Sequence, residues 1–379
     1  MKKILFLLSI IISLSSQAEF INIGIYYGQN VESFEFSIHA GKYALFSEKG
    51  KVSDLENTSS VLVSYTTQGI KVSQAGKLLG VFQRANFVGT GWYNHFRVTP
   101  KNALKEHRYD DNLKVFMQSR GMQLVNNIDL DNYVAGVVEA EVGQKPPKEY
   151  FKLQAIICRT YALSNTHKHA LEGFNLCDQV HCQAYHGKTF FNPIVEAALQ
   201  TRGAVIVDSD IELITAAFHS NCGGQTVNSE DVWTKSLYYL RSVEDSFCVD
   251  LKNSHWEHRI PKIKWNSYVN SKLSQEAKDS LKLPLTIVSR ERDFVLANSG
   301  LSVEDIRHQF GLRSTYFEVR DDGDAIMLCG KGYGHGVGLC QIGAMEMARR
   351  GYNYSQILHY YYRGVHIIDL SALDFFKAD

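Results

Sequence analysis

The stretch L-D-N-Y-V-A-G-V-V-E-A-E-V, residues 130–142, decides how this 379-residue chain reads. Leu130, Tyr133, Val134, Val137 and Val138 recur at i, i+3, i+4, i+7 and i+8, the spacing of one apolar helix face. Asp129 stands where an N-cap would accept the first free N–H groups. At about 100° per residue, position 141 returns to within about 20° of Leu130, whereas position 139 falls on the opposite side. Glu141 therefore lies on the inward stripe and Glu139 does not. A carboxyl group on a core-facing stripe loses solvent, which favours its protonated form and moves it toward the range a general acid needs. The alternative is that the helix ends near Glu141 and the side chain turns to water or pairs with Arg159.

Downstream, the spacing predicts a second helix from about Lys148 to Asn165, apolar nearly all round and hence buried. Inside it sit Gln154 and Arg159; a buried guanidinium needs a carboxylate or several carbonyls, and Glu141 is one candidate partner. The segment C-D-Q-V-H-C-Q-A-Y-H then packs Cys177, His181, Cys182 and His186 into ten residues. All four are zinc-ligand types, although the spacing matches no standard finger and a Cys177–Cys182 disulfide is the competing reading. Further on, His219, Ser220, Asn221, Cys222, Gly223 and Gly224 follow the apolar run Leu213–Phe218, which places them at a strand end entering a glycine turn. The adjacent Ser and His do not make a triad, and no G-x-S-x-G elbow occurs. Gly330, Gly332, Gly334, Gly336 and Gly338 surround His335 and lead into Gln341 and a helix through Arg350. These glycines fit neither the P-loop nor the G-x-G-x-x-G register, so they read as backbone passing close to a substrate or another segment.

Upstream, Phe20–Tyr27, Ser33–Ile38, Tyr43–Ser47, Val61–Tyr65 and Leu113–Phe116 read as short strands between Gly, Asn and Asp clusters. Residues 1–18 carry Lys2 and Lys3, an apolar run and Ser16-Gln17-Ala18, the three-part pattern of a secretory signal. Cleavage after Ala18 and export to the periplasm or cell envelope are expected. The apolar run falls short of the roughly 20 residues a spanning helix needs, so no membrane span is expected after cleavage. The predicted organisation is a signal over 1–18, a β-rich region over 19–127 and a catalytic region over 128–379, with a polar insertion at 252–318 holding helices at Trp265–Leu281 and Ser302–Phe310. Hydrophobic residues at 45% and charged residues at 21% exclude a disordered or fibrous chain. The 40 basic and 40 acidic side chains cancel, which leaves no global positive field to hold nucleic acid. Seven cysteines, an odd number, leave at least one thiol outside any set of disulfides.

Five ordered motifs now resemble those of the sporulation stage II protein D family (SpoIID/LytB): the run from Leu130, L-Q-A-I-I-C-R-T-Y-A from Leu153, H-C-Q-A-Y from His181, H-S-N-C-G-G-Q-T from His219 with Val232-Trp233, and G-Y-G-H-G-V-G-L-C-Q-I-G-A from Gly332. The resemblance covers about residues 128–365. It implies an α+β fold in which a β-rich N-terminal part packs on a mixed α/β catalytic core. It also implies a lytic transglycosylase acting on peptidoglycan glycan strands stripped of their peptides by an N-acetylmuramoyl-L-alanine amidase, at the septum or during sporulation. The family's catalytic glutamate falls on Glu141, with Gln154, Arg159, His219, Ser220, His335 and Gln341 as candidate substrate-binding residues. The reaction requires no cofactor, and some relatives carry zinc near the segment equivalent to 177–186. The resemblance favours a Cys222–Cys248 disulfide, because a second cysteine often follows the S-x-C-G-G turn by some 25 residues. Two positions depart from the family pattern: Cys340, where Ser is common, and Glu139, where a small residue is usual. Two other functions stay open, a non-catalytic glycan-binding amidase enhancer and a water-using muramidase recruiting a second carboxylate such as Asp231.

Overall fold

The computed structural model describes residues 19–101, 104–118, 121–286 and 300–377; the signal read at 1–18 lies outside them. Period-two alternation builds the front of the molecule. Phe34, Phe36, Val61, Val63, Ile70 and Val72 point inward, with less buried neighbours between them. Their strands belong to a six-stranded sheet in the order His107–Asp110, His95–Pro100, Ser33–Ala40, Val61–Thr66, Gly69–Gln74, Lys77–Phe82. A seven-stranded sheet runs Leu176–Cys177, Phe20–Ile25, Gly121–Asp129, Asn112–Gln118, Arg84–Gly89, Tyr43–Ser47, Gly50–Asp54. The structure is thus α+β with a β-rich N-terminal part.

Strand Gly121–Asp129 runs directly into helix α1 (Leu130–Val142), and Asp129 accepts hydrogen bonds at its Oδ1 from the N–H groups of Asp131 (2.9 Å) and Asn132 (3.2 Å). The N-cap is the one expected from sequence. Helix α2 (Lys148–Ser164) presents Phe151, Ala155, Cys158 and Ala162 to a core shared with both front sheets. Its opposite side, Tyr150, Leu153, Ile156 and Ile157, enters a second core built from the C-terminal half. A helix wedged between two cores has to be apolar on both faces, which accounts for its sequence. Helix α3 (Asn192–Gln200) packs against α1 and α2. The first core runs across position 127 without a break, because strand Phe20–Ile25 pairs antiparallel with Gly121–Asp129 on one side and parallel with Leu176–Cys177 on the other.

The polar insertion has a third core and its own four-stranded sheet, ordered His255–Pro261, Ala325–Lys331, Phe317–Asp322, Leu285–Thr286. Its reach therefore extends past position 318, since His255 pairs with Lys331. The helix read as Trp265–Leu281 is two, α4 (Lys262–Lys272) and α5 (Gln275–Asp279). The backbone goes extended at Leu273, and Ser274 caps a new start by accepting from the N–H of Ala277. Helix α6 (Val303–Phe310) matches the helix expected over Ser302–Phe310, with Ser302 as its cap accepting from the Asp305 N–H. Beyond it lie α7 (Gln341–Arg349) and α8 (Tyr354–Tyr361), both in the second core. The apolar run Leu213–Phe218 forms strand only at Phe218–His219, which pairs parallel with Leu339–Cys340 and brings the two glycine motifs side by side.

Candidate active site

Glu141 sits in the last turn of α1, half-buried, and its Oε1 accepts a hydrogen bond from the Ala184 N–H at 3.0 Å. The segment carrying Ala184 can lie this close because α1 has glycine at 136, where an added Cβ would come within 2.6 Å of the Tyr185 ring. Burial pushes the Glu141 carboxyl up from its ordinary range, and the Ala184 N–H and nearby His186 oppose that only in part. Glu139 turns away and takes a hydrogen bond from Gln144 Nε2 at 2.5 Å.

The expected cation is elsewhere. Arg159, fully buried, donates through Nε (3.1 Å) and Nη2 (2.7 Å) to Asp131 Oδ1, through Nη1 to the Ala204 carbonyl (3.0 Å) and through Nη2 to that of Ala198 (3.2 Å). Arg202 donates to the other oxygen of Asp131 at 2.6 Å. Among the described residues Glu141 forms no ion pair, so nothing holds it ionised as an arginine would. Arg159 is thus a strut between α1, α2 and α3 with no surface to offer a substrate. Gln154 is equally buried, accepting from the Tyr150 hydroxyl (2.9 Å) and donating to Cys158 Sγ (3.5 Å) under Glu141.

The glycine motifs converge on two imidazoles. His219 Nδ1 is 3.1 Å from the Val337 carbonyl, His335 Nε2 is 3.0 Å from the Phe218 carbonyl, and the rings are 5.5 Å apart with Trp233 against His335. Gly334, at φ +113°, makes this approach possible, since a Cβ there would lie 2.8 Å from His219 Cβ. Ser220 Oγ accepts from Asn253 Nδ2 at 3.3 Å. Gln341 opens α7 with a buried Nε2 that has no hydrogen-bond partner among the described residues, an amide with bonding capacity left for a ligand. Tyr150 lies within electrostatic reach of both Glu141 and Cys340 and so links the two halves. A cleft of about 270 Å³ beside Glu141 is lined by Tyr26, Lys105, His107, Asp178, Ala184 and His186. A larger one, about 640 Å³ and bordered by Trp256 and Tyr316, belongs to the insertion and holds none of the motif residues read as catalytic or substrate-binding.

Three of the four predicted metal ligands come together; the fourth does not. Cys177, His181 and Cys182 are joined by His169, all four ligand atoms lying within 4.8 Å of one another. His186 is drawn away by its chain position: its ring stacks on His107 (6.2 Å) and its field reaches Glu141. The donor set fits zinc. Cys182 Sγ is 3.4 Å from His169 Nε2 and 3.6 Å from His181 Nδ1, and His169 offers its other nitrogen to Glu172 at 2.5 Å, the carboxylate backing usual for a metal-bound imidazole. The spacing hides His169, because seven residues separate it from Cys177. Nor is the favoured disulfide formed: the Cys222 and Cys248 sulfurs are neighbours at 3.3 Å, beyond the ~2.05 Å of a bond, and none of the seven cysteines is in a disulfide.

A family model described as "Stage II sporulation protein" matches residues 118–207. The chain is 30% identical over 275 residues to the stage II sporulation protein D of Bacillus subtilis (strain 168), spanning 66% of this chain and 77% of that one. An uncharacterized protein of Brachyspira hyodysenteriae is 30% identical over 259 residues, 67% of this chain and 70% of its own. A B. subtilis protein named amidase enhancer is 26% identical over 283 residues, 60% of this chain and 39% of that one.

Proposed function

Because this chain belongs to the stage II sporulation protein D family, we propose that it remodels the cell wall as a lytic transglycosylase. It cleaves the glycosidic bond of peptide-stripped peptidoglycan strands and leaves 1,6-anhydro ends on N-acetylmuramic acid. The observation that carries this reading is the half-buried carboxyl group of Glu141, raised by burial and with no ion-pair partner among the described residues. Ordinary glycosidases need two carboxyl groups, the second to activate water or attack the sugar. Here the 6-hydroxyl of the cleaved sugar is the nucleophile, so one residue suffices. Protonated Glu141 gives its proton to the leaving oxygen, and the resulting carboxylate takes the proton of the attacking hydroxyl. The Ala184 N–H, already on Oε1, holds the carboxyl in one rotamer and steadies it while it is charged. Intramolecular attack supplies the proximity for which a hydrolase must hold a water. His219, His335 and the open amide of Gln341 bind sugar hydroxyl and acetamido groups.

Zinc at His169, Cys177, His181 and Cys182 would be structural, supplying a rigid anchor. That anchor ends at Cys182, two residues before Ala184, and the segment it fixes is the one that positions Glu141.

Likeness to a protein named amidase enhancer favours a second reading, in which the same surface binds stripped glycan and assists an amidase without cleavage. Mass spectrometry of material released from amidase-treated peptidoglycan separates the readings. Anhydro ends that vanish with Glu141→Gln support the transglycosylase; reducing ends would mean a water-using muramidase, and no release a binding role.

A further inference from the structure

A second cluster of metal-ligating side chains, separate from the one beside Glu141, lies within the second core. Cys222, Asp245, Cys248 and Cys340 are all buried and place one ligand atom each within 4.8 Å of all the others. Cys222 Sγ is 3.3 Å from Cys248 Sγ and 3.3 Å from Asp245 Oδ2. A tetrahedral zinc with Zn–S bonds of ~2.3 Å keeps its ligands roughly 3.8 Å apart, so small side-chain shifts would close this set around a cation. We propose that these three sulfurs and one carboxylate form a second, structural binding site for a soft divalent cation of the zinc class.

Three features favour a cation over a simple sulfur pair. A Cys222–Cys248 bond would use two of the four groups and leave the Cys340 sulfur and the Asp245 carboxylate packed against it, unused as metal donors. The surroundings are also arranged for anionic ligands: the N–H groups of Cys222 and Gly343 point at Cys340 Sγ (3.3 and 3.4 Å), while the Tyr361 hydroxyl (2.9 Å) and the Phe247 N–H (3.0 Å) hold the two oxygens of Asp245. These four donors are neutral, so a cation arriving as a ligand would supply the positive charge that lets the acidic groups ionise together. Gly343 completes the fit, since a Cβ there would collide with the Asp245 carboxylate. On uptake the thiol protons leave to solvent as the metal–sulfur bonds form, which makes binding proton-linked, and four protein ligands would leave no coordination position for water, as in structural sites.

The ligands come from three chain segments. Cys222 follows strand Phe218–His219, Asp245 and Cys248 sit in the loop before the insertion, and Cys340 is the N-cap of α7. Metal here would staple the turn bearing Ser220 to the helix start bearing Gln341.

The test is zinc stoichiometry by elemental mass spectrometry on the full chain. Unmutated protein should hold two zinc ions, and Cys340→Ser one. The double variant Cys177→Ser/Cys182→Ser, which disables the other cluster, should still hold one. Loaded with cobalt(II), that double variant should show thiolate-to-cobalt charge transfer, and adding Cys340→Ser should abolish it. A double variant that folds but carries no metal overturns the proposal. If it does not fold, the unmutated protein decides: two zinc ions support the site, while fewer than two, or a Cys222–Cys248 disulfide in a non-reducing peptide map, overturns it.

Discussion

Replacing Asp131 with alanine should be among the most damaging single changes in the molecule, although Asp131 touches no proposed substrate group. Its Oδ1 is shared by Nε and Nη2 of Arg159, whose side chain has 0% exposure, so removing the carboxylate strands a guanidinium where water does not reach. Breaking a buried pair by deleting one partner costs about 3–5 kcal/mol, mostly the penalty of the uncompensated charge. At roughly 2–4 °C per kcal/mol for a large domain, that lowers the thermal midpoint by roughly 6–20 °C. Arg202 provides the control. It binds the other oxygen of the same carboxylate but is 47% exposed, so Arg202→Ala should cost about 1 kcal/mol or less. A second control is the double variant Asp131→Leu/Arg159→Met, which removes both charges and should be more stable than Asp131→Leu alone. Differential scanning fluorimetry with urea unfolding reads all of these. If Asp131→Ala melts with Arg202→Ala, the carbonyls of Ala198 and Ala204 satisfy Arg159 by themselves and the strut argument is wrong.

Three further outcomes are expected. Burial raises Glu141, so the folded state holds that proton more tightly than the unfolded chain. The group's contribution to stability is full below the ordinary carboxylate range and is lost as pH rises through the raised value. Glu141→Gln should therefore gain stability relative to the parent as pH climbs from about 4 to 7, while glycan release drops by roughly 10²–10⁴-fold; a pH-independent difference in midpoint would contradict the burial argument. Glu172→Gln removes the carboxylate behind His169 and should weaken zinc binding at the His169–Cys182 cluster by roughly 10–100-fold in chelator competition, with unchanged affinity refuting that role. Gly334→Ala would set a Cβ 2.8 Å from that of His219 at φ +113°, and should cost at least about 1–3 kcal/mol along with glycan binding in a pull-down.

Helix α1, its Asp129 cap and the inward face of Glu141 were legible because they depend on spacing within a dozen residues. What the spacing could not supply was partners. Asp131 reads as a helix-start acid suited to the dipole, and nothing local reveals that it neutralises an arginine 28 residues on. His169 was missed and His186 preferred for the same reason: closeness in sequence stood in for closeness in space. The Leu213–Phe218 run looked like a strand because apolar side chains cluster there. Yet a strand needs a continuous neighbour to pair with, and along that run Leu213 makes an isolated bridge to Val207 while Phe218 joins a ladder, opposite Leu339. In the front layer, Gly69–Gln74 alternates weakly and Arg84–Gly89 begins with a charge, so those strands emerge only once their sheets are seen.

The strand Phe20–Ile25 is the first element among the described residues, yet its parallel partner is Leu176–Cys177, with Ile23 opposite Leu176 and the Tyr26 N–H held by Asp178. A ribosome delivers the chain from its N-terminus, so this strand spends the synthesis of some 150 further residues with an open edge. Contacts this remote in sequence make for late, slow closure. The last hydrogen bonds of the front sheet thus form only once the cysteine–histidine segment exists, which makes completion of the scaffold and assembly of the loop beside Glu141 one event in time.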